Sequence, residues 1–321
     1  MLIPVLLFVL GLVLLIKGGD WFVDGATGLA RRFRIPEIIV GATVVSIGTT
    51  LPEVMVSATG ALEGLGSMAY GNAIGSVICN TSLIAAITLA VRPGTVDRKS
   101  LRMPVLFFFG AAALYCGTAY LSGYFSRPLG LVLLAIFVVY MVITVRQGFK
   151  NPTEAEEDGE EEKQRKLWQE LVLLVAGAAV IAVGARLLVD NGTLIARALG
   201  VPETVIALTF VALGTSLPEL VTAITSLAKG HGSLSLGNVI GANLFNLVLV
   251  CGVSMSLAPF DVPSASQFLG HNASLVLDIP VMLGVMLLLT VPPLVSGKLR
   301  RWQGILLLAI YVAYCAIQFT M

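Results

Sequence analysis

Residues 48–53 read Gly48-Thr49-Thr50-Leu51-Pro52-Glu53 inside an apolar run from Ile38 to Leu62. The run is long enough to cross a bilayer. Its middle carries a carboxylate, two hydroxyls and a proline. A carboxylate at that depth costs about 2.5–3.5 kcal/mol on insertion scales, so its presence is a functional hypothesis by default. The pattern then returns. Residues 214–219 read Gly214-Thr215-Ser216-Leu217-Pro218-Glu219, at an offset of 166, again inside an apolar run. The offset holds without a gap: Pro36-Glu37 matches Pro202-Glu203, Asp24 matches Asp190, Gly71-Asn72 matches Gly237-Asn238, and Asn80 matches Asn246. Between 35–80 and 201–246, 18 of 46 positions are identical. Ungapped matches on the rare polar residues of membrane segments mark a duplicated unit whose matching centres are the two glutamates.

The rest of the chain supports that reading. Of 321 residues, 57% are hydrophobic and 12% charged, with a mean hydropathy of +0.92. This composition excludes an ordinary soluble domain and predicts a polytopic membrane protein. Cys79, Cys116, Cys251 and Cys315 all fall in apolar segments without paired spacing, as buried inert thiols do. The N-terminal stretch lacks a basic region and a small-residue cleavage site, and reads as a first span.

Ten spans are predicted, near 2–28, 38–62, 70–91, 102–121, 128–146, 168–192, 204–228, 235–257, 273–291 and 302–320. Residues 1–146 and 168–321 form two five-span units, and the acidic stretch 147–167 is a solvated linker between them. Five is odd, so the second unit enters from the opposite side and the duplication is an inverted repeat. The predicted fold class is all-α, with ten transmembrane helices in two inverted repeats.

With the N-terminus outside, the inner loops collect 16 of the 20 basic residues, among them Arg31, Arg32, Arg34, Lys229, Arg300 and Arg301. The positive-inside rule therefore puts the linker in the cytoplasm and both termini outside. Lys17, Asp20, Asp24, Arg186 and Asp190 lie toward span ends, where snorkelling or local pairing accounts for them. His231 and His271 fall in loops, with no metal or proton role.

Helical spacing puts Thr49 and Thr50 on the face of Glu53, and Ser76 on that of Asn80. The second half repeats the set with Thr215, Ser216, Glu219 and Asn246. Pro52 and Pro218 leave the carbonyls of Gly48 and Gly214 without their helical donors. Such carbonyls need a neighbouring helix, water or a cation. Every candidate donor is an oxygen, as a hard-cation site requires. Two carboxylates neutralise one divalent ion, two monovalent ions or two protons, which is the arithmetic of an exchange site. Gly71, Gly75, Gly237 and Gly241 are read as permitting close helix packing.

On these motifs the chain resembles the calcium/cation antiporter superfamily, and within it the prokaryotic sodium/calcium exchangers. The resemblance rests on Gly48–Glu53 with Gly71-Asn72-Ala73-Ile74-Gly75-Ser76 and Asn80, and on Gly214–Glu219 with Gly237-Asn238-Val239-Ile240-Gly241-Ala242 and Asn246. It implies a core of spans 2, 3, 7 and 8, across which the long, tilted spans 1 and 6 slide to alternate access. It also implies calcium bound by Glu53 and Glu219 with Thr49 and Thr215 beside them. Sodium would be held by Thr50, Ser216, Ser76 and the carbonyls of Ser46 and Ala212, and Asn80 and Asn246 would line the central site.

Two positions depart from the family pattern. Many sodium/calcium exchangers have an acidic residue at the place of Asn246, and most have serine at that of Ala242. The expected partners are calcium and sodium ions and the bilayer, with protons as the alternative coupling ion. No nucleic acid, cofactor or enzymatic activity is expected, and one monomer suffices to build the site. A passive channel would need a filter loop, which the sequence lacks. An intramembrane acid–base enzyme would leave the flanking hydroxyls unexplained.

Overall fold

The computed structural model describes residues 2–150, 165–199 and 214–320. Most of the predicted linker, the first half of the predicted span 204–228 and Ala212 lie outside the described residues. Among the described residues, nine helices are long and apolar enough to cross a membrane: α1 (Leu2–Phe33), α2 (Glu37–Leu62), α3 (Gly66–Val91), α4 (Arg98–Ser122), α5 (Arg127–Phe149), α6 (Leu167–Ile195), α8 (Gly232–Leu257), α9 (Ser274–Ser296) and α10 (Arg301–Phe319). The shorter α7 (Leu217–Ala228) is the described part of the remaining predicted span. The chain is an all-helical, multi-pass membrane protein. Two-residue antiparallel pairs join loops of opposite halves, Gly94-Thr95 with Leu299-Lys298 and Tyr124-Phe125 with Asp261-Phe260.

Lipid is as apolar as leucine, so these helices associate by close packing rather than by escape from water. The pair α1 and α6 does this through glycine. A Cβ on Gly11 would meet the Gly184 carbonyl oxygen at 2.9 Å, one on Gly18 the Ile181 nitrogen at 2.8 Å, and one on Gly25 the Leu174 nitrogen at 2.6 Å. Rising numbers on α1 meet falling numbers on α6, so the two run antiparallel. The contacts also respect the offset of 166. Gly11 lies against Gly184, and their matches Gly177 and Gly18 lie against each other.

The same device joins α8 to α2. A Cβ on Gly41 would meet the Asn238 nitrogen at 2.8 Å, and one on Gly241 the Ala42 Cα at 2.6 Å. The expectation of close packing thus holds for Gly237, which abuts Ile38, and for Gly241. It fails for Gly71 and Gly75, which meet nothing within 4 Å among the described residues.

A buried aromatic cluster fills the space between α3, α4, α5, α8 and α9, with Tyr115 stacked on Phe125 at 4.6 Å and Phe137 edge-on to Phe245 at 5.1 Å. Tyr140 spends its hydroxyl proton on the Ala42 carbonyl, 2.9 Å away. The helix winds as a π turn there, over Gly41–Val45, and a π turn loosens the ladder of carbonyl acceptors.

Candidate cation site

Helix α2 is inside out. Its buried face carries Ser46, Thr49, Thr50, Glu53 and Ser57, while Leu51, Met55 and Leu62 are exposed. A helix in lipid turns its apolar side outward and its polar side to the bundle. Helix α7 follows with Glu219, Thr222 and Ser226, all fully buried. The spacing of these residues, three and four apart, puts each set on a single stripe.

The two stripes meet. Thr50 Oγ1 donates to Glu219 Oε1 at 3.4 Å, and the Glu53 and Glu219 carboxylates lie within electrostatic range of each other. Both glutamates are 0% exposed. Both oxygens of Glu53, Oε2 of Glu219 and the hydroxyl of Ser216 have no hydrogen-bond partner among the described residues, and neither do the side-chain amides of Asn80 and Asn246. Buried polar atoms are nearly always paired. A dense set of unpaired oxygens shared by two helices is therefore built for something other than the protein itself.

The motif threonines cross between halves. Thr49 Oγ1 donates to Asn238 Oδ1 at 3.1 Å, and Thr215 Oγ1 donates to Asn72 Oδ1 at 3.2 Å. These bonds are each other's image under the offset of 166. Ser46 Oγ donates to the Asn238 carbonyl at 3.0 Å and the Gly41 carbonyl at 2.7 Å. The Ser46 carbonyl itself accepts a long bond of 3.5 Å from Thr49. Ser76 is buried on α3, one turn before Asn80.

Asn80 and Asn246 each open a π-helical turn, over Asn80–Ala85 and Asn246–Val250. The deviation recurs at matching positions in both halves, and single π turns recur at functional sites in helical proteins. The two prolines differ in setting. Pro52 lies inside the continuous α2, whereas Pro218 follows a turn at Gly214–Ser216 and opens α7. Phe22 of α1, Ala178 and Ile181 of α6, Thr49, Pro52 and Pro218 line one cavity of about 10 Å³. The α1–α6 pair thus abuts both motifs at once.

Most of the sequence-predicted residues converge: Glu53, Glu219, Thr49, Thr50, Thr215 and Ser46 are linked directly or through an asparagine. Asn72 and Asn238 were not among the predicted site residues, although their match at the offset of 166 singled them out. In the sequence Lys229 is a loop charge and Asp24 a span-end charge for which local pairing is expected. Their partnership crosses from α1 to the end of α7, with Lys229 Nζ 2.6 Å from Asp24 Oδ1. Arg186 and Asp190 do pair locally, at 3.7 Å.

The family profile described as sodium/calcium exchanger protein matches residues 3–146 and 170–320. A putative antiporter, CaxA of Alkalimonas amylolytica, is 35% identical over 330 residues and covers 100% of both chains. The sodium/calcium exchanger MaX1 of Methanosarcina acetivorans is 29% identical over 353 residues, covering 98% of each. Among solved structures, the sodium-calcium exchanger NCX_Mj soaked with Na+ and Sr2+ superposes with a TM-score of 0.81 at 35% identity, over 98% of each chain. The all-helical fold, the buried carboxylate pair shared by two halves and these matches together place the chain in the sodium/calcium exchanger protein family, a family of membrane transporters.

Proposed function

We propose that this chain is a secondary active antiporter that exchanges calcium for sodium by alternating access at one site shared by its two halves. The observation that carries the reading is the pair Glu53 and Glu219, both fully buried, with three of their four carboxylate oxygens unpaired among the described residues. Two carboxylates balance one calcium ion, and hydroxyl, amide and carbonyl oxygens complete the 6–8 donors that calcium takes. Glu53 and Glu219 hold calcium, with Thr49 and Thr215 beside them. Thr50, Ser216, Ser76 and the carbonyls of Ser46 and Ala212 serve sodium, and Asn80 and Asn246 line the centre. Binding either set of ions neutralises the same two charges, so one set excludes the other and transport is exchange.

Access alternates as α1 and α6 slide together across the core. The glycine seam between them supports this, since it holds the two helices backbone to backbone so that they can move as one body. The basic inner loops support termini outside and the acidic linker in the cytoplasm, and one monomer holds a complete site.

A second reading rests on Asn246. With amides at both 80 and 246, the site has only two carboxylates, which suits coupling to protons, or carriage of another divalent cation. Radioactive calcium uptake decides between them. Proteoliposomes of the purified protein are loaded with sodium and diluted into sodium-free buffer, beside a batch carrying only a pH gradient. Uptake driven by sodium is the expected result, and uptake driven by the pH gradient alone replaces sodium with protons.

A further inference from the structure

The geometry points to Asn72 and Asn238 as positioning residues of the cation site. Each takes the hydroxyl proton of the threonine in the opposite motif, and Asn72 holds the tighter of the two arrangements. The inference rests on the cation-exchange reading.

A threonine hydroxyl has one proton and two lone pairs. Once the proton is committed to an amide oxygen, the hydroxyl oxygen offers only lone pairs to its surroundings, which is what a cation accepts. Thr215 donates to Asn72 at 3.2 Å, and Thr49 to Asn238 at 3.1 Å with the Ser46 carbonyl a more distant competitor at 3.5 Å. Each bond also crosses the repeat, so each motif is held by the half it does not belong to.

The two asparagines are not equally anchored. Asn72 Nδ2 donates to the Glu53 carbonyl at 3.2 Å and to Ser57 Oγ at 2.8 Å. The Glu53 carbonyl can only accept and so demands the nitrogen, which turns the amide oxygen of Asn72 to Thr215. Asn72 therefore ties Glu53 of one half to Thr215 of the other. Asn238 is 0% exposed, yet its Nδ2 has no hydrogen-bond partner among the described residues. The position matching Ser57 is Ala223, which has no oxygen to receive it.

Groups that orient a metal's ligands are worth roughly 10–100-fold in metal affinity. The test is a double-mutant cycle on the full-length protein in sodium-loaded proteoliposomes, reading the calcium concentration for half-maximal uptake, with the ion-free Tm measured alongside. Asn72→Leu and Thr215→Val are each expected to raise half-saturating calcium about tenfold. Together they are expected to do no worse than the worse single change. Asn72→Leu with Thr49→Val, whose residues do not bond, is expected to multiply.

Multiplication within the Asn72–Thr215 pair overturns the inference, as does a lowered ion-free Tm with unchanged half-saturation, the signature of a bond that only holds the fold. Ala223→Ser carries the test if Asn72→Leu does not fold. It supplies the missing acceptor for Asn238 and is expected to lower half-saturating calcium by about twofold or more, the worth of a neutral hydrogen bond; no change there refutes the anchoring difference. If the unmodified protein takes up no calcium under either gradient, the exchange reading falls first and this inference falls with it.

Discussion

Lys229 Nζ stands 2.6 Å from Asp24 Oδ1 and 3.3 Å from Asp20 Oδ1, joining the end of α7 to the middle of α1. Arg165 approaches Asp24 at 3.7 Å, and Arg32 pairs with Glu170 of α6 at 2.9 Å. The duplication does not repeat this cluster. The positions matching Asp20, Asp24 and Lys229 are Arg186, Asp190 and Glu63, so the cation that closes one end is replaced at the other by an anion. Arg186 and Asp190 are 85% and 63% exposed at their side chains. Among the described residues these pairs tie α1 to the core beside the basic loops, and on the proposed orientation that side faces the cytoplasm.

Cutting that tie should favour opening on that side. Exposed or half-exposed ion pairs are worth about 0.2–1 kcal/mol each, and Lys229 makes two, so Lys229→Ala is expected to shift the balance of the two access states by about 2- to 30-fold. Ser226, fully buried one turn before Lys229, gives the readout. In a Ser226→Cys background, labelling by a membrane-impermeant thiol reagent from the cytoplasmic side should quicken when Lys229 is replaced. High salt should quicken it in the parent and not in the variant. Equal labelling rates would mean that these pairs do not hold the end shut.

Replacing either central carboxylate should separate transport from folding. Glu53→Gln and Glu219→Gln keep shape and remove charge. Calcium exchange should fall by more than about 100-fold, beyond what is seen when only a ligand-orienting group is lost. The ion-free protein should gain stability, since a buried charge is costly unless paired and these two lie within range of each other. Uptake and the ion-free Tm are measured on the same preparations. Retained exchange, or a lower Tm, would contradict the site.

A smaller test concerns the entry to α4. Asp97 caps it, accepting the Ser100 N–H at 2.9 Å, the Ser100 hydroxyl at 2.7 Å and the Lys99 N–H at 3.1 Å. Partial burial works against its charge, yet the Ser100 hydroxyl, with the N–H groups of Ser100 and Lys99, holds the carboxyl below its ordinary value. A lowered folded pKa means that the contribution is complete above the unfolded value, about 3.9, and disappears as pH falls through the folded value. Asp97→Ala should cost about 1 kcal/mol at neutral pH. The Tm gap from the parent should close in acid, whereas Asp97→Asn, still a cap, should show little gap at pH 7.

Much of the site was legible because membrane depth makes polar residues expensive. Glu53 and Glu219 stand out in apolar runs, and the offset of 166 pairs them without any structure. Helical spacing alone put Thr49 and Thr50 on the face of Glu53, and α2 buries all three with Ser46 beside them. What spacing could not give is contact between distant segments. The bonds from Thr49 to Asn238 and from Thr215 to Asn72 depend on how α2, α3, α7 and α8 are set against one another. The π turns at Asn80 and Asn246 add a residue to a turn without leaving a period in the sequence. The reach from Lys229 to Asp24 was hidden for the same reason, since charges at span ends have cheap local answers.

Asn246 offers the sharpest test of what sets the ion preference. It is fully buried, its side-chain amide has no hydrogen-bond partner among the described residues, and it opens a π turn packed against α2, the helix that carries Glu53. Asn246→Asp adds a third carboxylate at nearly constant shape. The charge count of an oxygen site is one of the quantities that tune calcium affinity. At an effective dielectric of about 20, a unit charge some 4 Å from a divalent ion contributes about 8 kcal/mol of attraction, most of it offset by the desolvation of the new carboxylate. About tenfold tighter half-saturating calcium is therefore expected. The cost falls on the ion-free state, where three like charges repel, so the ion-free Tm should drop and the Tm rise on adding calcium should grow. Uptake under a sodium gradient should persist. Unchanged calcium affinity would place Asn246 outside the reach of the bound ion and would leave Glu53 and Glu219 as the whole of its charge.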